Sequence, residues 1–188
     1  LRDNPGGDNS FSDYMVSYIA DKPFKFSSDF KVLVSDYARQ ANSRRIEGGQ
    51  ANKTSLQLKA LYDQHNNGEV VSMALPMVKP LAVNRRLNGV AVYALVDQGS
   101  YSNAVTTAAM LQDYGFATIV GEPTADLATT YAAVETFELP NTGVSVGFAK
   151  AFMIRPNGNQ ALQGVVPDIR VVIDDEQNLW PQLRDAIE

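Results

Sequence analysis

Apolar residues along this chain change from helical to alternating spacing several times, and each change predicts an element. Phe11, Tyr14, Met15, Tyr18 and Ile19 recur at i, i+3, i+4, i+7 and i+8 behind the capping candidates Asn9 and Ser10, which predicts an amphipathic helix with that face inward. Residues 24 to 34 alternate, Phe30, Val32 and Val34 against Lys31 and Leu33, as a strand does. The polar, glycine-containing run from Arg39 to Lys53 reads as a loop. Thr54-Ser55-Leu56-Gln57 has capping-box spacing, and Leu58, Leu61, Tyr62 and His65 line one face of a helix that Asn67-Gly68 ends.

The second half is more regular. Val90 to Val96 is short and continuously apolar, the mark of a strand buried on both faces. A break at Asp97 to Ser100 leads into a helix that ends at Gly115 and carries Ala104, Ala108 and Leu111 on one side, and Ala117 to Val120 resumes a strand. Val134 to Leu139, the turn Pro140-Asn141-Thr142-Gly143 and the alternating Val144, Val146 and Phe148 toward Ile154 form a hairpin. Ile169 to Ile173 adds a strand, and Leu179 to Ile187 a closing helix with Trp180 as its anchor. The expected class is α/β.

Composition narrows the function. A chain of 188 residues, 45% hydrophobic and 20% charged, suits a single domain over 1–188. A net charge of -5, with Arg44-Arg45 and Arg85-Arg86 as isolated basic pairs, argues against a nucleic-acid partner, which needs clustered cations. Without cysteine, disulfides, a thiolate nucleophile and a thiolate zinc site are excluded; a single histidine argues against a histidine-based metal site, and no cofactor is expected. No run approaches the roughly 18 apolar residues of a membrane-spanning helix. Leu1-Arg2-Asp3 reads like the tail of a strand entering a turn, so the domain is expected to be truncated at its N-terminus.

The stretch with chemical content is Leu95 to Ala104, a buried strand breaking at Gly99 into a helix whose first turn begins near Ser102. A hydroxyl there sits among unpaired N–H groups at the positive end of a helix, where developing negative charge is stabilised. On spacing alone a serine that merely caps the helix is the commoner case. Gly6-Gly7 after Pro5 is a turn that offers a second set of main-chain donors.

Leu1-Arg2-Asp3-Asn4-Pro5-Gly6-Gly7, Gly99-Ser100-Tyr101-Ser102-Asn103-Ala104, Leu111-Gln112-Asp113-Tyr114-Gly115, Gly121-Glu122-Pro123-Thr124 and Gly164-Val165-Val166-Pro167-Asp168-Ile169 together resemble, in order, the signature of the C-terminal processing (tail-specific) serine peptidases. The resemblance implies a ClpP/crotonase-like fold of stacked strand-strand-helix units and peptide-bond hydrolysis through an acyl-enzyme on Ser102. It places the oxyanion donors at Asn103 and at the Gly6-Gly7 turn, and supporting roles at Asp113, Glu122 and Thr124. It implies a polypeptide substrate, a periplasmic or secreted setting and an upstream PDZ-like domain.

One departure matters. Aligned on Thr124, Leu127 takes the position of the family's general-base lysine and Tyr131 that of its orienting glutamine, and leucine cannot accept a proton. Three readings follow. His65 takes the role; or, as in the branch resembling tricorn protease, a histidine upstream of the Gly-Gly turn does, with Glu122 or Asp126 as its acid; or the protein is an inactive module binding an apolar ligand or peptide. The last case resembles the interphotoreceptor retinoid-binding proteins, with Tyr131, Phe148, Phe152 and Met153 as pocket candidates.

Overall fold

The computed structural model describes residues 1–172 and 179–188. The chain is mixed α/β and clusters into two compact units, residues 1–28, 75–129 and 154–188 in the first and 29–74 and 130–153 in the second.

The first unit carries α1 (Asn9–Ser17), and a second unit follows with β1 (Asp29–Leu33), α2 (Asp36–Glu47), α3 (Lys53–Gln64) and β2 (Val70–Ser72). The chain then returns to the first unit for β3 (Tyr93–Val96), α4 (Asn103–Tyr114) and β4 (Thr118–Gly121). The hairpin β5 (Thr130–Glu138) and β6 (Ser145–Ile154) follows, and β7 (Ile169–Arg170) and α5 (Leu179–Ile187) close the chain.

In the first unit, β3, β4 and β7 form a parallel sheet in that order, β3 to β4 being crossed by α4 as parallel pairing requires. Its core gathers Val16, Phe24, Val96, Val105, Met110, Ile119 and Val165. Gly121 sits at φ +125°, and a Cβ there would lie 2.1 Å from the Val96 carbonyl oxygen, so only glycine lets β4 meet the end of β3. In the second unit the strand order is β2-β1-β6-β5, and the β5/β6 hairpin keeps one antiparallel register from Thr130↔Met153 to Glu138↔Ser145. Its buried polar hub is Glu135, which accepts from Arg45 at 2.8 Å and also from Lys150.

Several sequence expectations change. The run from Arg39 to Lys53 is mostly the helix α2, capped by Ser35 and burying only Ala38, Ala41 and Asn42, too narrow a stripe to show as a hydrophobic period. α1 forms where expected but turns its other face inward: Phe11 is 77% exposed and Tyr14 and Met15 also face solvent, while Ser12, Val16 and Ser17 are buried. Its cap is Asp8, which accepts from Ser10 N–H. The strand drawn over 24 to 34 is confined to β1, Phe24 contributing only a bridge to Val78. Asn52, not Thr54, caps α3, in a reciprocal box with Ser55. β3 starts at Tyr93, Val90 being exposed. Trp180 is also exposed, and Leu183 is the buried residue of α5. Of the strand expected over Ile169 to Ile173, β7 is seen, and Ile173 lies outside the described residues.

Candidate active site

The chain leaves β3 through a loop that is bolted down before it reaches Ser102. Buried Ser100 donates its hydroxyl to the Leu1 carbonyl at 2.9 Å and accepts from Asp97 N–H at 3.0 Å. Asp97 in turn accepts from Asp3 N–H and pairs with Arg2. Tyr101 N–H donates to the Asn4 carbonyl at 2.9 Å. Residues 1 to 4 are thereby laid against the strand-to-helix corner.

Ser102 itself is exposed at the N-cap of α4, and its side chain makes no capping bond. Its backbone stands at φ 53°, ψ -120°, and Ala104 N–H donates to the Tyr101 carbonyl at 3.1 Å. This is the geometry of the first central residue of a type II′ turn, a place dominated by glycine. A side-chain-bearing residue there stores strain of about 1–3 kcal/mol. A helix-capping serine adopts extended backbone and bonds to the first-turn amides. Ser102 does neither.

Four main-chain N–H groups meet at this corner, and their partners separate them. Gly6 lies so close that a Cβ on it would be 2.8 Å from Asn103 N and Ser102 Cβ, and its φ of +93° also requires glycine. Gly6 N–H is taken by the Asn4 side-chain oxygen at 2.8 Å. Ser102 N–H is taken by Asp126 Oδ2 at 2.6 Å. Asn103 N–H, in the first helical turn, has no intrahelical acceptor, and among the described residues neither it nor Gly7 N–H has a hydrogen-bond partner. Gly6 thus serves close approach, and the donors left open are Asn103 and Gly7.

The Asn103 side chain is a brace, accepting from Ser12 Oγ at 3.3 Å and donating to the Asp8 carbonyl at 3.2 Å. A cavity of about 220 Å³ opens beside it, walled by Leu1, Phe11, Met15, Ala104 and Thr107 and reaching Gly6 and Gly7. Phe11 and Met15, from the apolar face of α1, thus line this opening. On the same helix Asp13 keeps a half-buried carboxyl, one oxygen of which has no hydrogen-bond partner. Burial, then the Asp8 charge, push that carboxyl above the usual range.

The remaining expected residues lie as follows. Thr124 is buried; its hydroxyl donates to the Asp126 carbonyl at 2.8 Å and accepts from Val165 N–H at 2.9 Å, fixing the loop that carries Asp126. Glu122 contributes a main-chain bond to the Val96 carbonyl, and its carboxyl takes no part in the hydrogen bonds around Ser102. Asp113 sits at the other end of α4, about 16 Å from Ser102 at 1.5 Å per residue. There it binds Arg155 through Nε at 3.0 Å and Nη2 at 2.6 Å and caps the Asn157 turn. His65 belongs to the second unit, ends α3 and shares its Nδ1 with Glu69 at 2.8 Å. Tyr131 packs on Phe152, and Phe148 on Phe137 and Tyr37, with Met153 buried.

The Asp126 contact to Ser102 has no local sequence signal, since 24 residues separate the pair. Among the described residues no cluster of His, Cys, Asp or Glu is arranged to hold a metal, and no helix is long and apolar enough to cross a membrane.

Comparison with known proteins places the fold. Mature CPAF superimposes with a TM-score of 0.60 at 17% identity, covering 89% of this chain and 37% of that one. A protein from Parabacteroides merdae gives 0.60 at 19% identity, over 100% of this chain and 49% of its own. The photosystem II D1 C-terminal processing protease gives 0.52 at 17% identity, over 92% and 33%. The chain therefore spans less than half the length of these structures. No curated protein sequence matches it. The model of peptidase family S41 matches residues 1–171, and the chain belongs to that family.

Proposed function

We propose that the protein is a serine peptidase that hydrolyses peptide bonds through an acyl-enzyme on Ser102, its fold built from ClpP/crotonase-like strand-strand-helix units. The observation that carries this reading is the exposed hydroxyl of Ser102 on glycine-type backbone at the positive end of α4, with Gly6 packed against it and the amides of Asn103 and Gly7, which line one cavity, unpartnered among the described residues. Ser102 Oγ attacks the scissile carbonyl carbon and yields its proton to a general base. The carbonyl oxygen becomes an anion between Asn103 N–H and Gly7 N–H, and the helix dipole adds to its stabilisation. Collapse expels the amine with a proton, and water then cleaves the ester to regenerate the hydroxyl. The cavity walled by Phe11 and Met15 receives a side chain of the bound polypeptide.

In this reading the general base is a histidine upstream of the Gly6-Gly7 turn, as in the branch resembling tricorn protease. Supporting this, Leu127 stands where the family resemblance expects lysine, and His65 is already engaged by Glu69. Family resemblance also favours an extracytoplasmic setting and a PDZ-like domain in the full-length protein. Leu127 equally favours a second reading, an inactive peptidase-like module binding a peptide or apolar ligand.

A fluorophosphonate probe on the full-length protein separates the two. Labelling that is lost to background in Ser102→Ala, with unchanged thermal stability, is the expected result. Labelling that survives the substitution rejects the nucleophile, and no labelling of the full-length wild type favours the binding module.

A further inference from the structure

We infer that Asp126 is the positioning residue of this corner: its carboxylate holds Ser102 N–H and so keeps the nucleophile in its strained backbone state. The inference rests on reading Ser102 as the nucleophile. A non-glycine residue at φ 53°, ψ -120° relaxes unless its surroundings prevent it. Relaxation to negative φ turns the Tyr101–Ser102 peptide over while ψ of Ser102 readjusts, which would swing Ser102 N–H away and release the Tyr101 carbonyl from Ala104 N–H. Tyr101 N–H on one side is tied to Asn4, and Val105 N–H on the other to the Ser102 carbonyl at 3.0 Å. Between these ties, Ser102 N–H has one acceptor, Asp126 Oδ2 at 2.6 Å, a charge-assisted bond of the stronger kind.

The carboxylate is itself aimed from several directions. Its Oδ1 accepts from Leu127 N–H at 2.9 Å, and the Asp126 carbonyl accepts from the Thr124 hydroxyl. That hydroxyl also accepts from Val165 N–H, and a Cβ on Gly164 would lie 2.0 Å from the Thr124 carbonyl oxygen. Two segments remote in sequence, 124–127 and 164–165, thus fix one carboxylate on one amide. The segment in which the resemblance expects a lysine base here brings an anion to the backbone of the serine instead. Removing that anion leaves the hydroxyl in place chemically and frees its backbone to flip.

The test uses the full-length protein, Asp126→Ala and the isosteric Asp126→Asn, with two readouts. Amide hydrogen exchange at Ser102, an exposed residue whose protection depends on this bond, should be slow in the wild type. It should accelerate about a hundredfold in Asp126→Ala and less in Asp126→Asn, Tyr101 N–H staying protected. Fluorophosphonate labelling should lose about a hundredfold in kinact for Asp126→Ala, as misplacement of a reacting atom does, with KI unchanged and partial recovery in Asp126→Asn. Unchanged Ser102 exchange in both variants overturns the inference, and so does accelerated exchange with wild-type kinact. A wild type that does not label at all sinks the peptidase reading instead, and the exchange experiment still decides whether Asp126 holds the amide.

Discussion

The two ends of helix α4 obey opposite rules. At its C-terminus everything is relieved and paired: Gly115 takes the left-handed cap at φ 72°, and the Asp113 carboxylate, its side chain 3% exposed, is saturated by Arg155 and Asn157. At its N-terminus Ser102 is exposed and strained, and among the described residues its side chain makes no capping bond and the amides of Asn103 and Gly7 have no partner. A buried, fully bonded charge stabilises by what it has already bound, whereas an active corner must keep donors unpaired until substrate arrives. One end of the helix holds the fold so that the other can afford strain.

The contrast can be broken most forcefully at the paired end. Asp113→Ala leaves the Arg155 guanidinium, side chain 7% exposed, buried without its partner, and should lower unfolding stability by about 3–5 kcal/mol in denaturant melts. A loss below about 1 kcal/mol would mean that this end does not anchor the helix. At the open end, Gly6→Ala drives a Cβ against Ser102 and Asn103. It should cut labelling of the full-length protein about a hundredfold. Near-normal labelling would show that the paired-glycine segment can retreat without consequence.

The smallest effect sharpens the picture of what surrounds the open end. Asp13 has its carboxyl raised by burial and by Asp8. Its folded value lies above its unfolded one, so the favourable contribution is present when the group is protonated in acid and is lost as pH rises through the folded value. Asp13→Asn should therefore stabilise the protein at neutral pH by less than about 1 kcal/mol, given a half-exposed group, and the gain should vanish in acid melts. A gain that persists unchanged in acid would assign the effect to something other than this ionisation.

What the sequence revealed follows the same physics. The corner was legible because β3 is continuously apolar, Gly99 breaks it, and Gly115 ends the helix twelve residues after Asn103 begins it. The β5/β6 hairpin was legible because its strands alternate around Pro140 to Gly143. α2 was hidden because its buried stripe is two alanines and an asparagine, the last donating to the Ser55 carbonyl. α1 misled because serines went inside: Ser12 and Ser17 hydroxyls donate to carbonyls three residues back, Asn9 and Tyr14, which makes them buriable. The apolar residues left outside then line the cavity at the corner. The bond from Ser102 N–H to Asp126, like the placement of Gly6 against Asn103, depends on tertiary contacts between segments that no local pattern links.

The most direct measurement is a crystal structure of the full-length protein after reaction with a fluorophosphonate. The expected result is phosphorus bonded to Ser102 Oγ, with one phosphonyl oxygen about 3 Å from both Asn103 N and Gly7 N. A phosphonyl group on another residue, or its oxygen turned away from those two amides, would contradict it.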